Sequence, residues 1–74
     1  MKKGIQIYKD AQNFVITSHI NLDEVNIYDA LGRLIHHSTD SKKKVFINKN
    51  NFVEGLYIVK VKSGNEVAVK KILR

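Results

Sequence analysis

Hydrophobic and polar residues alternate with a period of two along most of this chain. In segment 56–62, for example, Tyr57, Val59 and Val61 fall on one face of an extended backbone. β-Branched residues are frequent in these segments, as they are in strands. No stretch of ten or more residues shows the 3.6-residue period of an amphipathic helix. The pattern therefore predicts short strands and no long helix.

Seven such segments follow one another, and turn residues separate them. They are segments 5–8, 14–17, 25–29, 34–38, 44–48, 56–62 and 66–74. Short strands at this spacing are typical of sandwiches. We therefore predict an all-β, immunoglobulin-like antiparallel β-sandwich of about seven short strands. At this length, residues 1–74 are expected to be a single domain.

Turn chemistry predicts two hairpins. Asp29 begins the sequence Asp-Ala-Leu-Gly, which suits a type I turn followed by Gly32 in a left-handed conformation. This is the longer kind of hairpin, closed by a bulge. Gly64 and Asn65 suit a tight hairpin between the last two strands, because both residues tolerate positive φ.

The connection before the long strand is expected to hold a buried plug. Residues 48–51 form a polar loop, and Phe52 follows as an apolar side chain that can close the core. Gly55 then ends the loop. We predict that Tyr57 packs inward and that its hydroxyl finds a backbone partner.

The last segment breaks the alternation. Val67 and Val69 share a face, but the next residue on that face is Lys71. Either a bulge near Lys70 and Lys71 or an edge strand wetted on one side accounts for this pattern.

The net positive charge does not by itself indicate a nucleic-acid partner. The net charge is +6, but only Arg33 and Arg74 of the 13 basic residues are arginine. Arginine is the residue suited to bidentate phosphate and guanine contacts, whereas lysine also protects exposed sheet edges. We expect no nucleic-acid partner. The run Lys42–Lys44 is interpreted as a solvated loop.

The sequence also argues against catalysis and metal binding. There is no cysteine, so neither a disulfide nor a thiolate metal site can form. His36 and His37 are neighbours on a strand and point to opposite faces, so they cannot chelate one ion together. Asp23 and Glu24 form a carboxylate pair without an accompanying base or nucleophile. We expect no enzyme, no cofactor, no metal and no small-molecule substrate.

The order of motifs resembles a known family. Tyr28-Asp29, the turn Leu31-Gly32-Arg33, the plug Phe52, then Gly55-Leu56-Tyr57 and the basic-aliphatic end 70–74 follow one another as in the C-terminal sorting domain of the type IX secretion system. The resemblance runs from about Ile5 to the last residue. Many members open with Tyr-Pro-Asn-Pro, where this chain has Tyr-Lys-Asp-Ala at 8–11.

The resemblance implies a non-catalytic secretion signal at the end of a cargo protein. A separate N-terminal signal takes such a cargo across the inner membrane. In the periplasm the outer-membrane translocon recognises the domain, and a surface sortase then removes it. The cargo reaches the cell surface or the extracellular space, where it is released or joined to lipopolysaccharide. Residues 1–74 are accordingly expected to be the C-terminal domain of a larger cargo protein.

By the same resemblance, five residues are candidates for partner binding. These are Gly32, Arg33, Lys70, Lys71 and Arg74, while Asp29, Gly55 and Tyr57 are candidates for a structural motif. Gly32 is also explained by the turn alone, and the basic end by protection of an edge strand.

Two other functions stay open at this point. A surface adhesion or carbohydrate-binding sandwich requires exposed aromatic residues on one face, for which Tyr8 and Tyr28 are the candidates. A small basic nucleic-acid-binding β-barrel is the other. The identity of the cargo, the cleavage site and the oligomeric state are also open.

Overall fold

A computed structural model describes residues 4–74; residues 1–3, which the predicted domain includes, lie outside the described part. Residues 4–74 form seven strands in chain order: β1 Gln6–Lys9, β2 Asn13–Leu22, β3 Glu24–Asp29, β4 Leu34–Ser38, β5 Lys42–Asn48, β6 Leu56–Ser63 and β7 Glu66–Leu73. A 3-10 turn, Lys49–Asn51, precedes β6. Within this part of the chain, no helix is long and apolar enough to cross a membrane.

The strands form two antiparallel sheets. The first has the order β1-β2-β5 and the second the order β4-β3-β6-β7. Every pairing within them is antiparallel. The prediction of an all-β antiparallel sandwich is confirmed, and all seven predicted segments are strands.

Alternating residues of the two sheets fill one core between them. From the first sheet come Phe14, Ile16 and Ile47, and from the second come Val25, Ile27, Tyr57, Val59 and Val61, among others. Phe14, Ile16, Ile27, Val59 and Val61 have no measurable solvent exposure. In β3 and β6, the alternating apolar residues that share one face in the sequence are therefore the ones that pack into the core.

The basic segment before β5 differs from its prediction. Lys42–Lys44 is not a loop, because β5 already begins at Lys42. Lys44 pairs with Thr17 of β2, and Lys42 pairs with Leu22 after a register shift. Backbone pairing thus extends the strand, while all three lysine side chains stay exposed.

The last strand contains no bulge. Its pairing with β6 runs without interruption from Leu56–Leu73 to Ser63–Glu66. Ile72 on the inward phase is buried, and Val67, Val69 and Leu73 on the outward phase are 56 to 61% exposed. The break in the alternation therefore reflects an edge strand whose aliphatic residues lie mainly on the outside.

The two predicted hairpins form with small differences. Gly32 has a φ of +86°, as the first turn requires, but the irregularity in pairing lies further along, where Tyr28 pairs with Leu34 and leaves Ile35 unmatched. In the second hairpin Gly64 has a φ of +61°, whereas Asn65 keeps an ordinary negative φ.

Candidate functional site at one end of the sandwich

The turn between β3 and β4 is organised by the Asp29 carboxylate. One oxygen, Oδ1, accepts hydrogen bonds from the backbone N–H groups of Leu31 and Arg33, both at 2.9 Å. The other, Oδ2, accepts from Arg33 Nε at 2.7 Å. The Gly32 N–H donates to the Asp29 carbonyl at 3.0 Å, which closes the turn. These bonds fix the turn while the Arg33 side chain remains 73% exposed.

These contacts favour the ionised form of Asp29. The hydrogen bond from the Arg33 backbone N–H lowers the pKa of the Asp29 carboxyl most, and the Arg33 side chain and the Leu31 N–H act in the same direction. A charged acceptor makes stronger hydrogen bonds than a neutral one. The turn that presents Arg33 is therefore held by an ionised carboxylate.

The segment before β6 is anchored by three aromatic rings. Phe52 packs edge-to-face against Phe14 and Tyr57, with ring centroids 5.3 and 5.2 Å apart. The buried Tyr57 donates its hydroxyl hydrogen to the Val53 carbonyl at 2.7 Å. The plug thus lies under the loop, as its place in the sequence predicts, and it leaves Val53 78% exposed.

The C-terminal residue is held against the same segment. The Arg74 N–H donates to the Gly55 carbonyl at 2.9 Å. Its Nε donates to the Lys49 carbonyl at 2.9 Å, and Nη2 lies 3.4 Å from Asn50 Oδ1. The carbonyl groups of the 3-10 turn and of Gly55 therefore orient the end of the chain, and Arg74 is half-buried rather than free.

Lys70 and Lys71 face different surroundings. Lys70 is on the inward phase of the edge strand, and its ammonium donates to the Ile7 carbonyl of β1 at 2.8 Å. Lys9 on β1 donates in the other direction, to the Leu73 carbonyl. Lys71 is exposed on the outer face, opposite Ile58 of β6. Of the two, only Lys71 presents its charge outward from the sheet.

Three of the motifs meet at one end of the sandwich. Asp29 pairs with Tyr57, and Leu56 pairs with Leu73, so the Leu-Gly-Arg turn, the Gly55 segment and the chain end are neighbours. A cleft of about 430 Å³ lies there, lined among others by Leu31, Arg33 and Leu56. Leu31 on its rim is 79% exposed. Lys70 points instead to the seam with β1.

Sequence reasoning missed the residues that connect these motifs. Lys9 and the carbonyl groups of Ile7, Lys49 and Leu73 take part through contacts between distant segments. No periodicity marks them, because the relevant partner lies on another sheet or in another loop. Only the alignment of the two sheets brings them within hydrogen-bonding distance.

The residues considered for carbohydrate binding, metal binding and catalysis do not come together in the fold. Tyr8 belongs to the three-stranded sheet and Tyr28 to the four-stranded sheet, so they do not form one aromatic platform. His36 pairs with Ile27 on the inward phase, where burial lowers its pKa, and His37 lies on the opposite face. Asp23 Oδ2 accepts the N–H of Gly64 and thereby supports a hairpin.

Comparison with protein families matches the secretion system C-terminal sorting domain over residues 6–74. Comparison with curated proteins finds no match. The matched region contains all seven strands and every candidate residue described above.

Proposed function

Because the chain belongs to the family of C-terminal sorting domains of the type IX secretion system, we propose that its folded sandwich is an export signal read at the end where its motifs meet. Membership implies a cargo protein N-terminal to the domain and an interaction with the secretion machinery. It also implies export to the cell surface or the extracellular space.

The proposal includes the individual steps of export. After transit through the periplasm, the outer-membrane translocon binds the folded domain, and a surface sortase then removes it from the cargo. The domain itself does no chemistry in this scheme. It acts as one C-terminal module of a larger protein, and its task is to present a surface.

One observation carries this proposal. The turn with Arg33, the Gly55 segment and the half-buried Arg74 meet at a single end, and the cleft between the turn and the Gly55 segment has exposed aliphatic groups on its rim. An exposed cation beside apolar groups is a reasonable docking feature, because arginine is enriched at the centres of protein interfaces.

The candidate residues take different roles in this proposal. Arg33 and Lys71 are exposed and contact the receptor directly. Gly32 supplies the turn that presents Arg33. Lys70 and Arg74 are occupied by intramolecular hydrogen bonds, and they contribute by holding the last strand and the chain end in place.

Point variants test this assignment. The chain is fused to a periplasmic reporter in a host with a type IX system, and the exported fraction is measured for Arg33→Gln, Lys71→Gln and Lys43→Gln. Lys43 is an exposed lysine on β5, so it is the matched control. We expect Arg33→Gln to reduce export at least several-fold and Lys43→Gln to leave it unchanged.

Thermal unfolding of the three purified variants accompanies the export assay. Equal export of all three folded variants would remove Arg33 and Lys71 from the docking surface. Deletion of residues 70–74 is a poorer test, because it removes Ile72 from the core as well as the charges.

A further inference from the structure

The outer face of β6 and β7 combines free charges with exposed aliphatic groups. We define this outer face by six residues: Lys60, Lys62, Val67, Val69, Lys71 and Leu73. The register places Val69 opposite Lys60 and Val67 opposite Lys62. Each cation therefore stands beside an aliphatic side chain, and both kinds of group point away from the core.

The three ammonium groups on this face are unpaired. Within residues 4–74, none of the ammonium groups of Lys60, Lys62 and Lys71 has an ion-pair or hydrogen-bond partner. On the same face, Glu24 of β3 lies opposite Lys62 in the register and accepts a hydrogen bond from Asn26. Three lysines on this face stand against the one carboxylate of Glu24, so the face keeps a net positive charge.

Its aliphatic groups are also exposed beyond what the fold requires. Val67, Val69 and Leu73 are 56, 61 and 60% exposed, although the opposite side of the same strand packs Ile72 into the core. A solvated sheet face normally carries polar residues in alternation with the buried ones. Val67, Val69 and Leu73 instead extend an apolar strip along an edge strand.

We propose that this outer face binds the surface of an anionic lipid membrane. Lysine ammonium groups on flexible stems suit the mobile phosphate charges of lipid headgroups, and the aliphatic groups between them can enter the boundary of the acyl region. Protein interfaces are depleted in lysine and enriched in arginine and aromatic residues. The six residues of the outer face include neither kind, and the aromatic residue next to them is the partly exposed Tyr28 of β3, opposite Ile58. Its composition therefore favours a lipid surface over a protein partner, and Lys71 is the one residue that this face shares with the proposed receptor contact.

The other sheet provides a contrast. Its exposed large apolar groups include Tyr8 and Phe46, which flank the buried Val15. The nearby Lys44 ammonium already lies 5.7 Å from the centre of the Phe46 ring. A charge placed over an aromatic ring is partly satisfied within the protein. The Lys44 charge is thus partly satisfied, unlike the charges of Lys60, Lys62 and Lys71.

Vesicle binding by the 74-residue chain tests the proposal. Sedimentation with vesicles of phosphatidylcholine and about 30% phosphatidylglycerol is compared with vesicles of phosphatidylcholine alone. We expect binding only to the anionic vesicles, with a loss at high salt because screening weakens the attraction. Each lysine near such a surface adds roughly a fivefold gain in partitioning.

Two triple variants with the same change in net charge distinguish binding through the outer face from binding through net charge alone. In one, Lys60, Lys62 and Lys71 become glutamine, and in the other Lys42, Lys43 and Lys44 do. We expect the first to lose more than about tenfold in partitioning and the second less than about threefold. Equal losses would overturn the proposal, because net charge would then explain the binding.

The aliphatic groups are tested by Val67→Thr combined with Val69→Thr. Threonine keeps the β-branched shape and the strand, so the variant should fold, and circular dichroism checks this. We expect a loss of about threefold or more in partitioning. An unchanged affinity would overturn the role of the aliphatic groups.

The assay also distinguishes a membrane from a protein partner. Absence of binding to anionic vesicles would overturn the proposal, and reduced export of a double variant, Lys60→Gln with Lys62→Gln, which keeps Lys71, would then assign the outer face to a protein. The vesicle measurement does not depend on export, so its outcome is separate from the test of the sorting signal.

Discussion

Lys70 and Ile7 join the two edges of the sandwich. The ammonium of Lys70 on β7 donates a 2.8 Å hydrogen bond to the carbonyl oxygen of Ile7 on β1. Lys9 makes the reciprocal contact with the Leu73 carbonyl. Because β1 and β7 are edge strands of different sheets, these two lysines connect the beginning of the fold to its end.

We predict that Lys70→Met destabilises the chain by about 1 kcal/mol, because methionine keeps the apolar stem but cannot donate to the Ile7 carbonyl. Urea unfolding at neutral pH measures the change. Lys43→Met on the exposed side of β5 is the matched control and should change the free energy of unfolding by less than about 0.5 kcal/mol. Equal effects of the two substitutions would contradict the role given to this contact.

The Asp29 carboxylate gives a pH dependence of known sign. Its pKa in the folded chain is lowered, first by the Arg33 backbone N–H. Stability from this group is therefore present above its unfolded pKa of about 3.9 and is lost as the pH falls through the lower folded value. We predict that Asp29→Asn reduces the difference in unfolding free energy between neutral and acidic pH.

Urea unfolding of the wild type and Asp29→Asn at about pH 6 and about pH 2.5 measures this difference. Asp40→Asn is the control, since Asp40 is an exposed loop residue that accepts no hydrogen bond within residues 4–74. The pKa of the Asp10 carboxyl is also lowered, by the N–H groups of Gln12 and Asn13, so part of the pH dependence of the unfolding free energy remains in Asp29→Asn. If Asp29→Asn shows the same difference in unfolding free energy between the two pH values as the wild type, the prediction is contradicted.

Phe52 is expected to dominate the stability of the end that carries the motifs. It is 7% exposed and contacts the rings of Phe14 and Tyr57. We predict that Phe52→Ala costs about 3 to 5 kcal/mol, which is close to the whole stability of a small domain. Phe52→Leu keeps much of the volume and should leave a folded chain with a smaller loss. Urea unfolding measures both, and a loss below about 1 kcal/mol for alanine would show that the plug does not pack as described.

Substitutions of Gly32 test whether the turn between β3 and β4 requires glycine. An added Cβ at this position meets no atom within 4 Å, so the cost of Gly32→Ala comes from its φ of +86°. We predict a loss of about 1 kcal/mol for alanine and less for asparagine, which tolerates positive φ better. Thermal unfolding of the two variants measures this. If both have the stability of the wild type, the turn does not require glycine.

Much of the fold could be predicted from the sequence because strand periodicity is local. The inward positions Val25, Ile27, Val59 and Val61 follow directly from alternation. Alternation failed at Lys42–Lys44, where pairing with β2 extends β5 over three residues that include no apolar side chain. For β7 it left a bulge and an edge strand wetted on one side as alternatives, because it could not tell an outward valine on an edge strand from an inward one.

The candidate site was less accessible to sequence reasoning. The turn chemistry of Asp29 and Gly32 is local, and so the conformation that presents Arg33 could be predicted. The bonds of Lys70 and Arg74 depend instead on segments 63 and 25 residues away. Sequence alone therefore indicated a basic chain end without indicating that two of its cations are already occupied.

The most direct measurement compares export of a reporter fused to this chain in two hosts, one with an intact type IX system and one lacking its translocon. The exported fraction is the reporter found outside the cell or on its surface, and the remainder is measured in the periplasm. We predict export in the first host and periplasmic retention in the second. Retention in both hosts, or export in both, would contradict the assignment of this sandwich as a sorting signal.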